Sequence, residues 1–156
     1  MKKAPTFSLQ DQTGTTRSLA DYGGRYLVLY FYPKDDTPGC TTEACNFRDI
    51  RDSIATLGNA EVIGISKDSV RKHANFAKKY NLKFTLLSDP EAETIKAYNS
   101  WGRKKFMGRE DDGILRNTYI IDPHGMIVKT YEGVDPKKHA AEIITDLKKL
   151  QASASQ

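Results

Sequence analysis

Cys40 and Cys45 are the only thiols in the chain, and Cys40 stands where a thiol can act as a nucleophile. It lies in Tyr30 to Cys45, YFYPKDDTPGCTTEAC, which reads as an apolar strand, a turn and a helix beginning almost at the cysteine. Pro33 closes the apolar run, and Thr37 followed by Pro38 is a helix start: a threonine cap accepts a backbone N–H, and proline suits the first helical position. Cys40 then falls in the first helical turn. Unpaired backbone N–H groups and the positive end of the helix dipole favour an anion there, and therefore a thiolate. The competing reading is a small buried cysteine that only packs.

The elements around Cys40 must hold it in place. Tyr26 to Tyr32, YLVLYFY, is apolar throughout and rich in strand formers, as expected of a central strand buried on both faces. After Thr37, Phe47, Ile50, Ile54 and Leu57 recur at steps of three and four and make one apolar helix face. Cys40 lies on the edge of that face with Ala44. Cys45 is turned about 140° away, beside Arg48, Asp49 and Asp52. Helix geometry puts the two α-carbons roughly 8–9 Å apart, beyond the roughly 7 Å reach of a disulfide, so a bond between them requires local unwinding. Gly39, Thr41 and Thr42 are poor helix formers in that turn and make unwinding easy.

The rest of the chain alternates strand and helix. Phe7 to Leu9 and Thr16 to Leu19 predict a short N-terminal hairpin around Gln10 to Thr15. Val62 to Ile65 is a strand, followed by a helix over Val70 to Tyr80 capped by Asp68 or Ser69. Phe84 to Leu87 is another strand, and Asp89 with Pro90 opens a short helix through Ile95 to Tyr98. Asn99 to Gly113 has no clear period and reads as a long loop, with Trp101, Phe106 and Met107 as satellite packing. Ile114 to Ile121 and Met126 to Tyr131 flank the turn Asp122 to Gly125 and make an antiparallel hairpin, with Arg116 at the start of its first strand. Asp135 caps a final helix with Pro136 near its start and Ala140, Ile143, Ile144, Leu147 and Leu150 on one face, and QASASQ is expected to fray. This order implies a sheet with parallel pairs and helices on its faces.

Bulk properties narrow the function. With 156 residues, the chain suits one domain over 1–156. It is 38% hydrophobic and 28% charged, and no apolar run approaches the roughly 20 residues a membrane span needs. Met1 to Leu9 lacks a secretory pattern, so a reducing cytoplasm is the expected compartment. Two cysteines separated by four residues cannot staple such a domain, which points to redox chemistry. A net charge of +4 and a pI near 9.0 invite a nucleic-acid reading, but the basic residues are dispersed and no recognition motif accompanies them. His73, His124 and His139 show no metal spacing with the cysteines and read as solvated helix or turn residues, which disfavours both zinc and a Cys-His hydrolase. A thioredoxin-type exchanger would need C-x-x-C. A chaperone-like binding protein is the alternative outside enzymes.

Pro33, Thr37 and Cys40 stand in the spacing P-x-x-x-T-x-x-C, which resembles the active-site signature of the peroxiredoxins, and TPGCTTEAC resembles their Q-type class, the bacterioferritin comigratory proteins. The likeness continues through FTLLSDP, WGRKKFMG and GILRNTYIIDPHG. It implies an α/β thioredoxin-like fold, with a mixed central sheet flanked by helices and an N-terminal β-hairpin extension. Cys40 would be the peroxidatic cysteine and Cys45 the resolving one. Thr37 would hydrogen-bond thiolate and peroxide, Pro33 would shield the site, and Arg116 would keep it cationic with Glu43 as its carboxylate partner. The implied activity is reduction of hydrogen peroxide and organic hydroperoxides, recycled by thioredoxin or a similar dithiol, in a monomer without cofactor or metal. With no third cysteine, resolution falls to Cys45 or to an external thiol.

Overall fold

A computed structural model describes residues 2–106 and 108–154, apart from the side chains at 55–58, 105, 106, 153 and 154. In order, the elements are β1 (Lys2–Lys3), β2 (Ser8–Gln10), β3 (Thr16–Ser18), a 3-10 turn (Leu19–Tyr22), β4 (Tyr26–Phe31), α1 (Pro38–Gly58), β5 (Ala60–Ser66) and α2 (Val70–Tyr80). They continue as β6 (Thr85–Ser88), α3 (Glu93–Ala97), β7 (Trp101–Phe106), β8 (Arg109–Ile114), β9 (Thr118–Ile121), β10 (Met126–Tyr131) and α4 (His139–Ala154). The main sheet has the order β1-β10-β9-β4-β5-β6-β2-β3, with β4, β5 and β6 parallel and β9 antiparallel to β4.

β4 is the central strand that its composition predicts. Its alternate residues divide cleanly between two cores. Val28, Tyr30 and Tyr32 pack with Cys40, Ala44 and Phe47 of α1, Phe76 of α2, and Ile143 and Leu147 of α4. Leu27, Leu29 and Phe31 face the other way, onto Ile63, Leu87, Ile95 and Tyr98. Each such buried side chain contributes roughly 1.5–3 kcal/mol, so the strand that carries the chain to Cys40 is among the most firmly held. The α1 face expected at Phe47, Ile50 and Ile54 is present, while the Leu57 side chain lies outside the described residues.

The N-terminal hairpin forms as β2 and β3, and it joins the β6 edge through Gln10 and Ser88. The preceding residues pair elsewhere: Lys2 and Lys3 lie against Ile127 and Met126 at the opposite edge. Ala4 and Phe7, buried between, bind the segment across one face. α2 spans the predicted Val70–Tyr80, and the Ser69 side chain accepts the Lys72 N–H at 3.2 Å.

Four expectations are corrected. Asn99 to Gly113 is not a loop throughout, because β7 and β8 form a two-stranded ribbon in the register Trp101↔Ile114 to Phe106↔Arg109. Its strands set Arg103, Lys104 and Lys105 opposite Asp112, Asp111 and Glu110, so opposite charges rather than an apolar face hold them. Gly108, at φ +80, turns the chain between them. Within this stretch Trp101 packs against the second core with Lys67 and Lys96 over its ring, whereas Met107 and the Phe106 side chain lie outside the described residues.

Arg116 is not in a strand. Residues 115–117 form a turn between β8 and β9, in which the Asn117 N–H donates to Leu115 O at 2.8 Å. The Asn117 side chain fastens this turn to Ser100 Oγ and to the Gly133 N–H. The helix starts expected at Pro90 and Pro136 come later than predicted, whereas α1 begins at Pro38 as expected. Asp89 does cap, but its Oδ2 accepts the Ile95 N–H of a helix beginning at Glu93, after Ala92 at φ +57. Asp135 likewise closes a turn over 136–138, and α4 begins at His139, continuing to Ala154 where fraying was expected; residues 155–156 lie outside the description. Finally, His73 and His139 are fully buried, and His124 alone of the three is exposed. His139 fits because its ring packs edge-on against Phe47 and Tyr131 while Nδ1 meets Glu142.

Candidate active site

The parallel strand β4 delivers the chain at its carboxyl end to residues 32–37, and α1 starts immediately afterwards. The Thr37 carbonyl accepts the Thr41 N–H at 2.8 Å, so Thr37 occupies the expected position before the first turn. Its hydroxyl, however, is turned back to donate to Lys34 O at 2.9 Å. Pro33 is half-buried in the same connection. Cys40 follows in the first turn with only 1% of its surface exposed.

Arg116 reaches this thiol from the turn before β9. Its Nη2 lies 3.2 Å from Cys40 Sγ, and its Nη1 lies 3.3 Å from Glu43 Oε1. Cys40 and Glu43 are three residues apart and therefore share a helix face, so one planar guanidinium serves both. The approach depends on Gly39: a Cβ there would stand 2.8 Å from Arg116 Nη2. Glycine leaves the guanidinium room over the first turn.

This arrangement is cationic and poorly hydrated. Burial drives the Glu43 carboxyl up to about 7, against the lowering effect of Arg116, and its Oε2 has no hydrogen-bond partner among the described residues. Near neutral pH, then, Glu43 only partly cancels the arginine, and a thiolate at Cys40 meets a fixed positive charge and free N–H groups of the helix start. Tyr30 packs beneath on Phe47, and burial holds its hydroxyl protonated. Arg116 also borders a cavity of about 420 Å³, lined with Asn99, Lys104, Leu115, Gly133 and Val134. Burial, and then Arg116, push the Lys104 ammonium down from its ordinary value.

Cys45 is half-buried further along α1, and both thiols are free. The unbroken helix keeps their α-carbons roughly 8–9 Å apart. Five of the residues singled out by sequence, Cys40, Glu43, Arg116, Thr37 and Pro33, thus lie at or beside one helix start, and Cys45 lies one turn beyond. Sequence reasoning missed Lys104, and it missed a buried cluster of Asp35, Asp68 and His73. His73 stands three residues before Phe76 on the inward face of α2, a period that marks it as internal. The cluster offers three ligand atoms within 4.8 Å, but each already takes part in a short hydrogen bond within the protein, the pattern of a satisfied network rather than an open metal site.

Residues 1–130 match the AhpC/TSA family. A peroxiredoxin Bcp from Bacillus subtilis is 48% identical over 149 residues, covering 96% of this chain and 94% of that protein. The chain belongs to the AhpC/TSA family of peroxiredoxins. Among solved structures, Xanthomonas campestris peroxiredoxin Q superposes with a TM-score of 0.86 at 35% identity, over 91% of this chain and 89% of that one. A structure of the bacterioferritin comigratory protein of Xanthomonas campestris, concerned with its alkyl peroxide reduction and a trapped intermediate/ligand complex, gives 0.85 at 34% identity, over 91% and 90% of the two chains. The α/β thioredoxin-like fold and the Q-type class expected from the residues are therefore those of this peroxiredoxin, and the enzyme is a thiol peroxidase. No helix among the described residues is long and apolar enough to cross a membrane.

Proposed function

We propose that this peroxiredoxin reduces hydrogen peroxide and organic hydroperoxides with Cys40 as the peroxidatic cysteine. The observation that carries the reading is the 3.2 Å contact between Arg116 Nη2 and Cys40 Sγ at a helix start. The thiolate attacks one peroxide oxygen; the S–O bond forms as the O–O bond breaks, and sulfur gives up two electrons. The departing oxygen leaves as hydroxide or alkoxide and takes a proton, yielding water or an alcohol. Arg116 and the backbone N–H groups of the first turn stabilise the negative charge as it moves to that oxygen. Thr37 contributes a hydroxyl that turns from Lys34 O to the peroxide, Pro33 shields the thiolate, and Glu43 orients Arg116.

Cys40 is left as a sulfenic acid. The first turn of α1 then unwinds and Cys45 thiolate attacks the Cys40 sulfur; an S–S bond forms, the S–O bond breaks, and hydroxide leaves as water. A thioredoxin-like dithiol reduces the disulfide and is itself oxidised. The half-buried position of Cys45 on the same helix and the poor helix propensity of Thr41 and Thr42 support this route. The reading extends to antioxidant defence by a monomer in a reducing cytoplasm, with no resident cofactor. Replacing Cys40 by serine tests it: peroxide consumption with thioredoxin and its reductase should vanish. Turnover within tenfold of the parent would refute the role of Cys40.

A further inference from the structure

The connection between β4 and α1 is held by two neighbouring aspartates, neither of which hydrogen-bonds to Cys40. Asp35 is buried. Its Oδ1 accepts the Tyr32 hydroxyl at 2.6 Å, its Oδ2 lies 2.6 Å from His73 Nδ1, and its backbone N–H donates to Asp68 Oδ2 at 2.8 Å. His73 presents its other nitrogen, Nε2, to Leu87 O at 3.0 Å. Both ring nitrogens therefore have hydrogen-bond partners inside the protein. Asp68 is fixed in turn by the Ser66 hydroxyl at 2.7 Å, and the Ser88 hydroxyl holds its carbonyl at 2.6 Å. Through these bonds Asp35 is tied to the carboxyl ends of β4, β5 and β6 and to α2.

Asp36 adds a second tie. It sits at φ +58, a left-handed conformation that a residue with a Cβ keeps only when its surroundings hold it. Its carboxylate takes Lys79 Nζ at 2.8 Å and the Tyr80 hydroxyl at 2.7 Å, both from the last turn of α2. The first turn of α1 is bound differently. Thr37 and Thr42 hydroxyls bond back to local carbonyls, Lys34 O and Pro38 O, and the tie to Cys40 from elsewhere in the fold is Arg116. A buried network around Asp35, continued by exposed ties at Asp36, thus ends directly before the turn that must open.

We propose that Asp35, Asp36 and His73 form a clasp that stays closed through the catalytic cycle. The clasp sets Cys40 against Arg116 for the peroxide step and confines later unwinding to the residues after Asp36. These are positioning residues, and the inference rests on the two-cysteine cycle proposed above. Its consequence is a split between two rates. A loosened clasp lets Cys40 drift from Arg116, which slows sulfenic acid formation. Unwinding becomes easier, so disulfide formation from the sulfenic acid is unchanged or faster. Capture before over-oxidation improves, and less sulfinic acid forms in excess peroxide.

The test is rapid mixing of fully reduced enzyme with one equivalent of hydrogen peroxide, with timed quenching and mass spectrometry of the sulfenic and disulfide forms, and a parallel mixing with excess peroxide to read the sulfinic form. Asp36→Gly removes both side-chain ties and accepts φ +58 without strain, so its fold is retained. His73→Asn opens the buried arm. Both should slow sulfenic acid formation at least about fivefold while disulfide formation holds or quickens. Asp36→Asn, which keeps an acceptor for Tyr80, should move both rates back towards the parent. Both rates unchanged in Asp36→Gly, or both falling together as general loosening would cause, overturns the clasp. If His73→Asn fails to fold, the Asp36 pair decides alone. A parent enzyme that forms no sulfenic acid would refute the peroxidase reading itself, a different failure.

Discussion

Glu43 offers a prediction whose size follows from the geometry. Its carboxyl, 1% exposed, is driven from an ordinary 4.5 up to about 7 because burial outweighs the pull of Arg116. An acid whose folded pKa is raised favours the native state most while protonated. That contribution is full below about pH 4.5 and is lost as pH climbs through about 7. Each tenfold change in a protonation equilibrium is about 1.4 kcal/mol, so ionising Glu43 should withdraw about 3 kcal/mol of stability between roughly pH 4 and pH 8. Glu43→Gln removes the ionisation and keeps a carbonyl to accept from Arg116 Nη1. Urea unfolding of the reduced protein at several pH values is the assay. The variant should gain on the parent steadily as pH rises, by an amount approaching that figure, and the two should converge near pH 4. A difference that stays constant with pH would refute the assignment of a buried, poorly compensated carboxyl. Because the glutamine leaves the guanidinium charge undivided, the peroxide step should persist at pH 8; its collapse would mean that the carboxylate charge itself is needed.

Three further predictions concern the same few atoms. Arg116→Ala removes a charge-assisted hydrogen bond worth roughly 1.5–3 kcal/mol, so the second-order rate with peroxide should fall about 10- to 150-fold in stopped-flow, and an unchanged rate would exclude Arg116 from the site. Gly39→Ala places a Cβ 2.8 Å from Arg116 Nη2 and should slow the same step by displacing the guanidinium. Combined with Arg116→Ala it should add little, whereas additive losses would mean that it acts through the helix alone. Cys45→Ser should leave the first peroxide turnover intact but impair recycling by thioredoxin; recycling at the parental rate would assign resolution to an external thiol.

How far the sequence can be read depends on what each segment buries. β4 and α1 are legible because apolar residues fill both faces of one and one face of the other, and period reports burial directly. The thiol's position follows from Thr37 and Pro38 alone. The β7–β8 ribbon is invisible for the opposite reason: Arg103 to Lys105 pair with Glu110 to Asp112 by charge, and a strand without an apolar face has no hydrophobic period. Resemblance identifies Arg116 but not its place in a turn, because Ile114 to Ile121 reads as one strand by sequence, whereas the bonds of Asn117 to Ser100 and Gly133 that fasten the turn are long-range. Asp35 and His73 stand 38 residues apart, and no local pattern joins a polar turn to a helix that far along. The N-terminal strand pairing of Lys2 and Lys3 across the sheet is likewise a long-range contact carried by charged residues.

The most direct test of the central claim is a count of free thiols in the fully reduced enzyme after one equivalent of hydrogen peroxide, with the linkage mapped by mass spectrometry. Rapid loss of both thiols, with the bond placed between Cys40 and Cys45, is the expected result. A sulfenic acid at Cys40 with Cys45 still free would contradict the intramolecular half of the account, and an unoxidised Cys40 would contradict all of it.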